Sequence, residues 1–179
     1  MGFIEETGAA QYYRDARILP IYEGTTAIQA NDLVGRKTAR DGGAVAKGII
    51  AQVRKTAAEL EGDARLQVIG RRLDEAAGAL EEVVDYVVAN IKDEIKSVFA
   101  GSVTYLKMAG VVLGGWQMAR AAAVSAARLK AGEGDAGFYE AKLVTARFFA
   151  DQILPQALAY RTAIVDGAES VLALPEEQF

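Results

Sequence analysis

Leu80-Glu81-Glu82-Val83-Val84-Asp85-Tyr86-Val87-Val88-Ala89-Asn90-Ile91-Lys92-Asp93-Glu94-Ile95 is the stretch that decides the fold class of this chain. Its aliphatic residues at 80, 83, 84, 87, 88, 91 and 95 are separated by steps of 3, 1, 3, 1, 3 and 4. That spacing returns to one side of a helix turning about every 3.6 residues, whereas a half-buried strand would alternate. The stretch is therefore an amphipathic helix with one face to bury.

Working outward, Leu66, Ile69 and Leu73 extend the same helix back to about Ala64, behind the turn Gly62-Asp63. Before that turn Ile49, Ile50, Val53, Ala57 and Leu60 mark another helix. Asp41-Gly42-Gly43 is the clearest internal punctuation and places a boundary between residues 1–45 and 46–179. Downstream, Ile95 to Lys130 has only Lys107 charged between Val98 and Ala119, and a helix apolar nearly all round is central to its fold. Its glycines, including Gly101, Gly110, Gly114 and Gly115, imply either close helix approach or a break near Gly114-Gly115. Gly132 to Gly137 reads as a loop. A last helix begins near Phe138, is expected to kink at Pro155, and gives way at Pro175, where order should end. No strand-like alternation survives a count. The expected fold is all-α: an antiparallel up-down bundle of about four long helices, preceded by a short helical segment.

That segment comprises a helix over residues 3–17, acidic early and basic late, then a break at Pro20, which biases Leu19 away from the helical region. Tyr22-Glu23-Gly24 forms a turn, and Thr25 or Thr26 caps a further helix carrying Ile28, Leu33 and Val34.

Composition narrows the chemistry. Of 179 residues 51% are hydrophobic, enough for a real core, while histidine and cysteine are both absent. Ser-His-Asp and Cys-His catalysis, disulfides, Cys/His zinc sites and iron–sulfur ligation all need residues that are missing. A net charge of −4 argues against non-specific nucleic-acid binding. Met108 to Ala119, interrupted by Gln117, falls short of the roughly 20 residues that span a bilayer. With no visible leader segment, the expectation is a cytoplasmic protein without a transmembrane span.

Two stretches carry a resemblance. Arg14-Asp-Ala-Arg-Ile-Leu-Pro-Ile-Tyr-Glu-Gly-Thr-Thr-Ala-Ile-Gln29, within residues 2–37, resembles the catalytic-glutamate segment of the acyl-CoA dehydrogenases. Residues 46–179 resemble, more loosely, the extra helical domain of the longer bacterial members, through Tyr105-Leu106, Gly114-Gly115-Trp116, Ala146-Arg147-Phe148-Phe149-Ala150 and Gly167-Ala168-Glu169-Ser170-Val171. The motif stands at the start of the chain, so the chain reads as the C-terminal piece of a larger bacterial flavoprotein of fatty acid β-oxidation.

The resemblance implies that Glu23 removes the α-proton of an acyl-CoA while the β-hydrogen leaves as hydride to FAD, giving a 2-enoyl-CoA. It implies substrate contacts at Tyr22 and Gly24 and a cofactor contact at Thr25. It further implies an electron-transfer flavoprotein as partner and a homo-oligomer. Ala27 stands where many short-form relatives have a polar residue, and no contact is carried over there. The chain alone is expected to be inactive and not to hold FAD. The rival from another class is a non-enzymatic helical interaction or oligomerisation module carrying a relic of the motif.

Other candidates have simpler explanations. Arg14, Arg17, Arg36, Lys37 and Arg40 could meet CoA phosphates, but solvated or ion-paired helix faces are the commoner outcome. Glu81, Glu82, Asp85, Asp93 and Glu94 lack the histidines of carboxylate metal bundles, so a solvated face is expected and no metal site. Trp116, Phe138, Tyr139, Phe148 and Phe149 read as core or interface residues.

Overall fold

The computed structural model describes residues 4–22 and 24–178. Every regular element among them is helical: α1 (Ala9–Ile18), α2 (Thr26–Asp32) running into a π-helical stretch (Leu33–Ala39), α3 (Ala44–Glu59), α4 (Gln67–Asn90), α5 (Ile95–Ala100), α6 (Ser102–Ala131), α7 (Ala136–Gln152), α8 (Gln156–Val165) and α9 (Ala168–Val171). The long arms α3, α4, α5–α6 and α7–α8 are joined by short connections into the all-α antiparallel bundle that the periodicity predicts.

Residues 80–90 form the expected helix, but it stops at Asn90: a turn follows at 91–93, Ile91 is only half-buried, and Ile95, exposed, opens α5 instead of closing the buried row. Ile69, Leu73, Leu80, Val83, Val84 and Val87 are buried along α4, which packs against α3, α6, α7 and α8. Each aliphatic side chain fully withdrawn from water contributes about 1.5–3 kcal/mol. The acidic residues of α4 hold its edges. Arg54 bonds Glu81 at 2.7 Å, Lys47 meets Asp85 at 2.6 Å, and Arg161 bonds Glu82 at 2.7 Å. Glu94 accepts instead from the Ser97 hydroxyl at 3.3 Å. These carboxylates are thus spread over several partners, and no group of three or more potential metal ligands occurs among the described residues.

The Asp41-Gly42-Gly43 punctuation ends one helix and starts the next. Both glycines have positive φ, 66° and 80°, and Asp41 accepts from the backbone N–H of Gly43 and of Val45, each at 3.0 Å. Gly43 is required twice over, because an added Cβ would also lie 2.8 Å from Val84 Cγ1.

α6 is the central helix, packed on α2, α3, α4, α7 and α8. Its glycines resolve the two sequence alternatives. Gly114-Gly115 does not break the helix; Gly115 is the floor of a notch filled by Leu154, whose Cδ2 lies 2.4 Å from an added Cβ. The interruption falls at Gly101, where the chain bends between α5 and α6 and backs onto Ile164.

Four further details depart from expectation. The segment 3–17 is not one helix: Gly8 at φ +76° separates a 3₁₀ turn, Glu5–Thr7, from α1. Leu19 keeps helical backbone angles (φ −57°, ψ −42°) despite Pro20. The turn beyond it donates from Ile21 and Tyr22 N–H to the Ile18 carbonyl, both at 3.0 Å, and these bonds outweigh the steric bias. Pro155 ends α7 rather than kinking it; Ile153 and Leu154 both donate to Phe149 O, which turns Leu154 into the core before α8 begins. Pro175 does not close the ordered chain either, since a 3₁₀ turn, Glu176–Gln178, follows it.

Candidate active-site segment

The site expected from sequence lies between α1 and α2. Glu23 itself falls outside the described residues. On either side the geometry is clear. Gly24 has φ +104°, and a Cβ there would meet Ile28 Cγ2 at 2.8 Å, so both backbone angle and space demand glycine. Thr25 is the N-cap of α2, with extended backbone (φ −67°, ψ 169°) and a carbonyl that accepts from Gln29 N at 3.0 Å. Its side chain does not cap the helix, contrary to the usual role of threonine there. Tyr22 ends the turn that follows α1, Gly24 and Thr25 lead into α2, and Tyr22 and Thr25 are exposed.

The surroundings of that turn are strongly apolar. Tyr12, Tyr13, Ile18, Leu19, Ile21, Tyr22 and Ile28 are all exposed, Tyr12 by 81%. α1 packs on the 3₁₀ turn before it rather than on the bundle. Scattered exposed hydrophobics are ordinary, but a concentration of aromatic and aliphatic side chains on one segment is a contact surface. The cationic candidates do not converge on it. Arg14 pairs with Glu5 at 3.2 Å and Arg36 with Asp32 at 3.0 Å, while Arg17, Lys37 and Arg40 are exposed.

The segment is anchored to the bundle through α2 and its π-helical continuation. Ala30, Val34 and Thr38 are each 0% exposed, and Thr38 Oγ1 lies 2.9 Å from the Tyr105 hydroxyl on α6. Burial pushes the Tyr105 phenol above its usual range, and the Thr38 hydrogen bond offsets part of that rise. Sequence reasoning missed this pairing. The local signal was the four-residue spacing of Ala30, Val34 and Thr38, which places the three on one helical face but says nothing of a partner 67 residues away.

Residues 49–175 match the family model "Acetyl-CoA dehydrogenase C-terminal like", and residues 1–37 match "Acyl-CoA dehydrogenase, C-terminal domain". The chain belongs to the acyl-CoA dehydrogenase family. It corresponds to the C-terminal region of such enzymes. It is 48% identical over 173 residues to the 3-methylmercaptopropionyl-CoA dehydrogenase of Ruegeria pomeroyi, covering 96% of this chain and 29% of that protein. It is 35% identical over 186 residues to the broad-specificity linear acyl-CoA dehydrogenase FadE5 of Mycobacterium tuberculosis, covering 99% of this chain and 30% of that one. A butyryl-CoA dehydrogenase of Syntrophomonas wolfei is 31% identical over 181 residues, covering 99% of this chain. The chain thus spans under a third of the length of these relatives, 29% to 30%.

Tyr22, Gly24 and Thr25 bring three different groups to this uncovered segment. Thr25 offers an exposed hydroxyl that the helix end does not use, Gly24 supplies a positive-φ backbone packed on Ile28, and Tyr22 adds an exposed aromatic edge. Among the described residues no helix is long and apolar enough to cross a membrane.

Proposed function

We propose that this chain carries the base of an FAD-dependent acyl-CoA dehydrogenase, which removes hydrogen from the α and β carbons of an acyl-CoA to give a 2-enoyl-CoA. The observation that carries the reading is the sequence Tyr22-Glu23-Gly24-Thr25, a carboxylate that follows an aromatic residue and precedes a glycine held at φ +104°, in a segment whose described apolar side chains are exposed. The relatives' names, all acyl-CoA dehydrogenases, support the substrate class.

In this reading the Glu23 carboxylate takes the α-proton. A simple carboxylate is a weak base for a carbon acid, and two effects close the gap. Covering the segment with substrate and the rest of the enzyme removes water from Glu23 and raises its pKa. A hydrogen bond from the Glu23 backbone N–H to the thioester oxygen stabilises the developing enolate. Gly24 supplies the positive-φ backbone next to the base, its missing Cβ making room for Ile28, and the Thr25 hydroxyl is free to contact the cofactor. FAD, when bound, supplies the acceptor for the hydride leaving the β carbon. Electrons then pass to an electron-transfer flavoprotein, and the protein assembles as a homo-oligomer.

Residues 1–45 supply this edge of the catalytic bundle, and residues 46–179 serve as an accessory bundle that supports it. The chain alone neither turns over substrate nor retains FAD, because one wall cannot enclose either. In the full-length protein, Glu23→Gln is expected to lower turnover roughly a hundredfold to ten-thousandfold with flavin content unchanged. Near-normal turnover of that variant, on a panel including butyryl-CoA and 3-methylmercaptopropionyl-CoA, removes Glu23 from the role.

A further inference from the structure

Ala30, Val34 and Thr38 stand four residues apart on one continuous helix, Thr26–Ala39, and all three are fully buried. On an α-helix of about 3.6 residues per turn, a four-residue row drifts steadily around the surface. The wider i→i+5 winding of Leu33–Ala39 turns through a smaller angle per residue and carries Thr38 back beneath Val34. The π-helical stretch thus keeps the row facing the bundle. At its end the Thr38 and Tyr105 hydroxyls meet at 2.9 Å, joining residues 67 apart in the chain. In contrast, none of the described residues from Ile4 to Gln29 is buried.

Apolar contacts such as those of Ala30 and Val34 tolerate small rotations of a helix. A hydrogen bond does not, because it weakens steeply with misalignment, and two buried hydroxyls have no water to turn to. α2 starts at Thr26, three residues after Glu23, so a rotation of the helix is passed to the Gly24-Thr25 backbone that leads into it and adjoins Glu23 in the chain.

We propose that Thr38 and Tyr105 form a clamp that sets the rotation of the Thr26–Ala39 helix on the accessory bundle, and so positions the Glu23-Gly24-Thr25 segment. Tyr105 and Thr38 are positioning residues. Their effect on turnover rests on the reading of Glu23 as the base; their effect on the helix does not. The accessory bundle then acts on the chemistry through one hydroxyl pair rather than by contributing a group to the site.

The test uses the full-length protein and the variants Thr38→Val, Thr38→Ser and Tyr105→Phe, with two readouts. The first is amide hydrogen exchange over residues 26–34, referenced to the amides of α4 so that global destabilisation is separated. The second is kcat and KM with butyryl-CoA or 3-methylmercaptopropionyl-CoA. Thr38→Val and Tyr105→Phe are expected to raise exchange in residues 26–34 relative to α4. They should also lower kcat roughly twofold to thirtyfold, the range of coupling between packed residues and a distant site, with KM nearly unchanged. Thr38→Ser keeps the hydroxyl and loses only a methyl group. It should restore both readouts even where its melting temperature is below that of the parent. Unchanged local exchange in Thr38→Val and Tyr105→Phe overturns the clamp. So does a Thr38→Ser variant as defective as Thr38→Val, because shape and not the hydrogen bond would then hold the helix. Should Glu23→Gln turn over normally while the exchange pattern holds, the assignment of the base fails and the clamp stands.

Discussion

Gly70→Ala is a sharp test of how α3 and α4 are packed, because two opposing effects act on one methyl group. Replacing a glycine inside a helix by alanine ordinarily stabilises it by about 0.8–1 kcal/mol. At position 70 the added Cβ would lie 2.6 Å from the Ala57 carbonyl oxygen and 3.2 Å from Leu60 Cβ. Neither neighbour can swing away: one is backbone within α3, and the other is fixed directly to the chain. Restoring an ordinary contact requires the two helices to part by about 0.8 Å, the difference between 2.6 and 3.4 Å. That separation loosens Ile69, Leu73, Val53 and Ala57, all buried on facing sides. Overpacking of this kind costs about 1–3 kcal/mol and more where backbone must move. The steric effect therefore wins, with a net loss of about 1–2 kcal/mol, or roughly 2–8 °C in Tm for a chain of this size.

Gly48→Ala and Gly110→Ala are the controls. Both are exposed, both lie inside helices, and neither added Cβ meets an atom within 4 Å. Each should raise stability by about 0.5–1 kcal/mol. Thermal and urea unfolding followed by far-ultraviolet circular dichroism measures all three. A Gly70→Ala protein as stable as its parent, or stabilised like the controls, refutes the close α3–α4 contact.

Three shorter predictions follow from hydroxyl and indole groups. The Tyr105 phenol is raised above its ordinary value of 10.0 by burial, so the folded protein holds that proton more tightly than the unfolded chain. Its contribution to stability is complete below about pH 10 and is lost as pH rises through the higher folded value; Tyr105→Phe should flatten this alkaline decline in a stability–pH profile. Tyr86, raised by burial first and by Glu94 second, acts in the same direction, so Tyr86→Phe should flatten what remains of the alkaline slope. Trp116 Nε1 donates to Thr56 Oγ1 at 2.8 Å between α6 and α3, and a double-mutant cycle of Thr56→Val with Trp116→Phe should report a coupling of about 0.5–1.5 kcal/mol in urea unfolding.

The parts of this dehydrogenase segment legible from sequence are those governed by local periodicity. The apolar row of α4 could be read without the fold because a helix returns residues 3 and 4 apart to one face wherever it packs. Asp41-Gly42-Gly43 was legible for a similar reason, since two positive-φ residues and an aspartate cap are local chemistry. The site segment was legible as a motif, and Gly24 meets its steric demand from Ile28, only four residues away. Tertiary contacts overrode local rules elsewhere. Gly114-Gly115, which weakens a free helix, is kept helical because Phe149 and Leu154 pack against it, whereas the bend falls at Gly101 against Ile164.

From the amino-acid order alone came an all-helical bundle, the absence of histidine and cysteine, and a carboxylate motif resembling the catalytic-glutamate segment of the acyl-CoA dehydrogenases. Folding in three dimensions decided which glycines serve as notches and which as hinges, and it joined Thr38 to Tyr105 across 67 residues. The division has a physical cause. Periodicity is written into neighbouring residues, whereas a notch, or a hydrogen bond between distant helices, exists only when the whole bundle has brought both sides together.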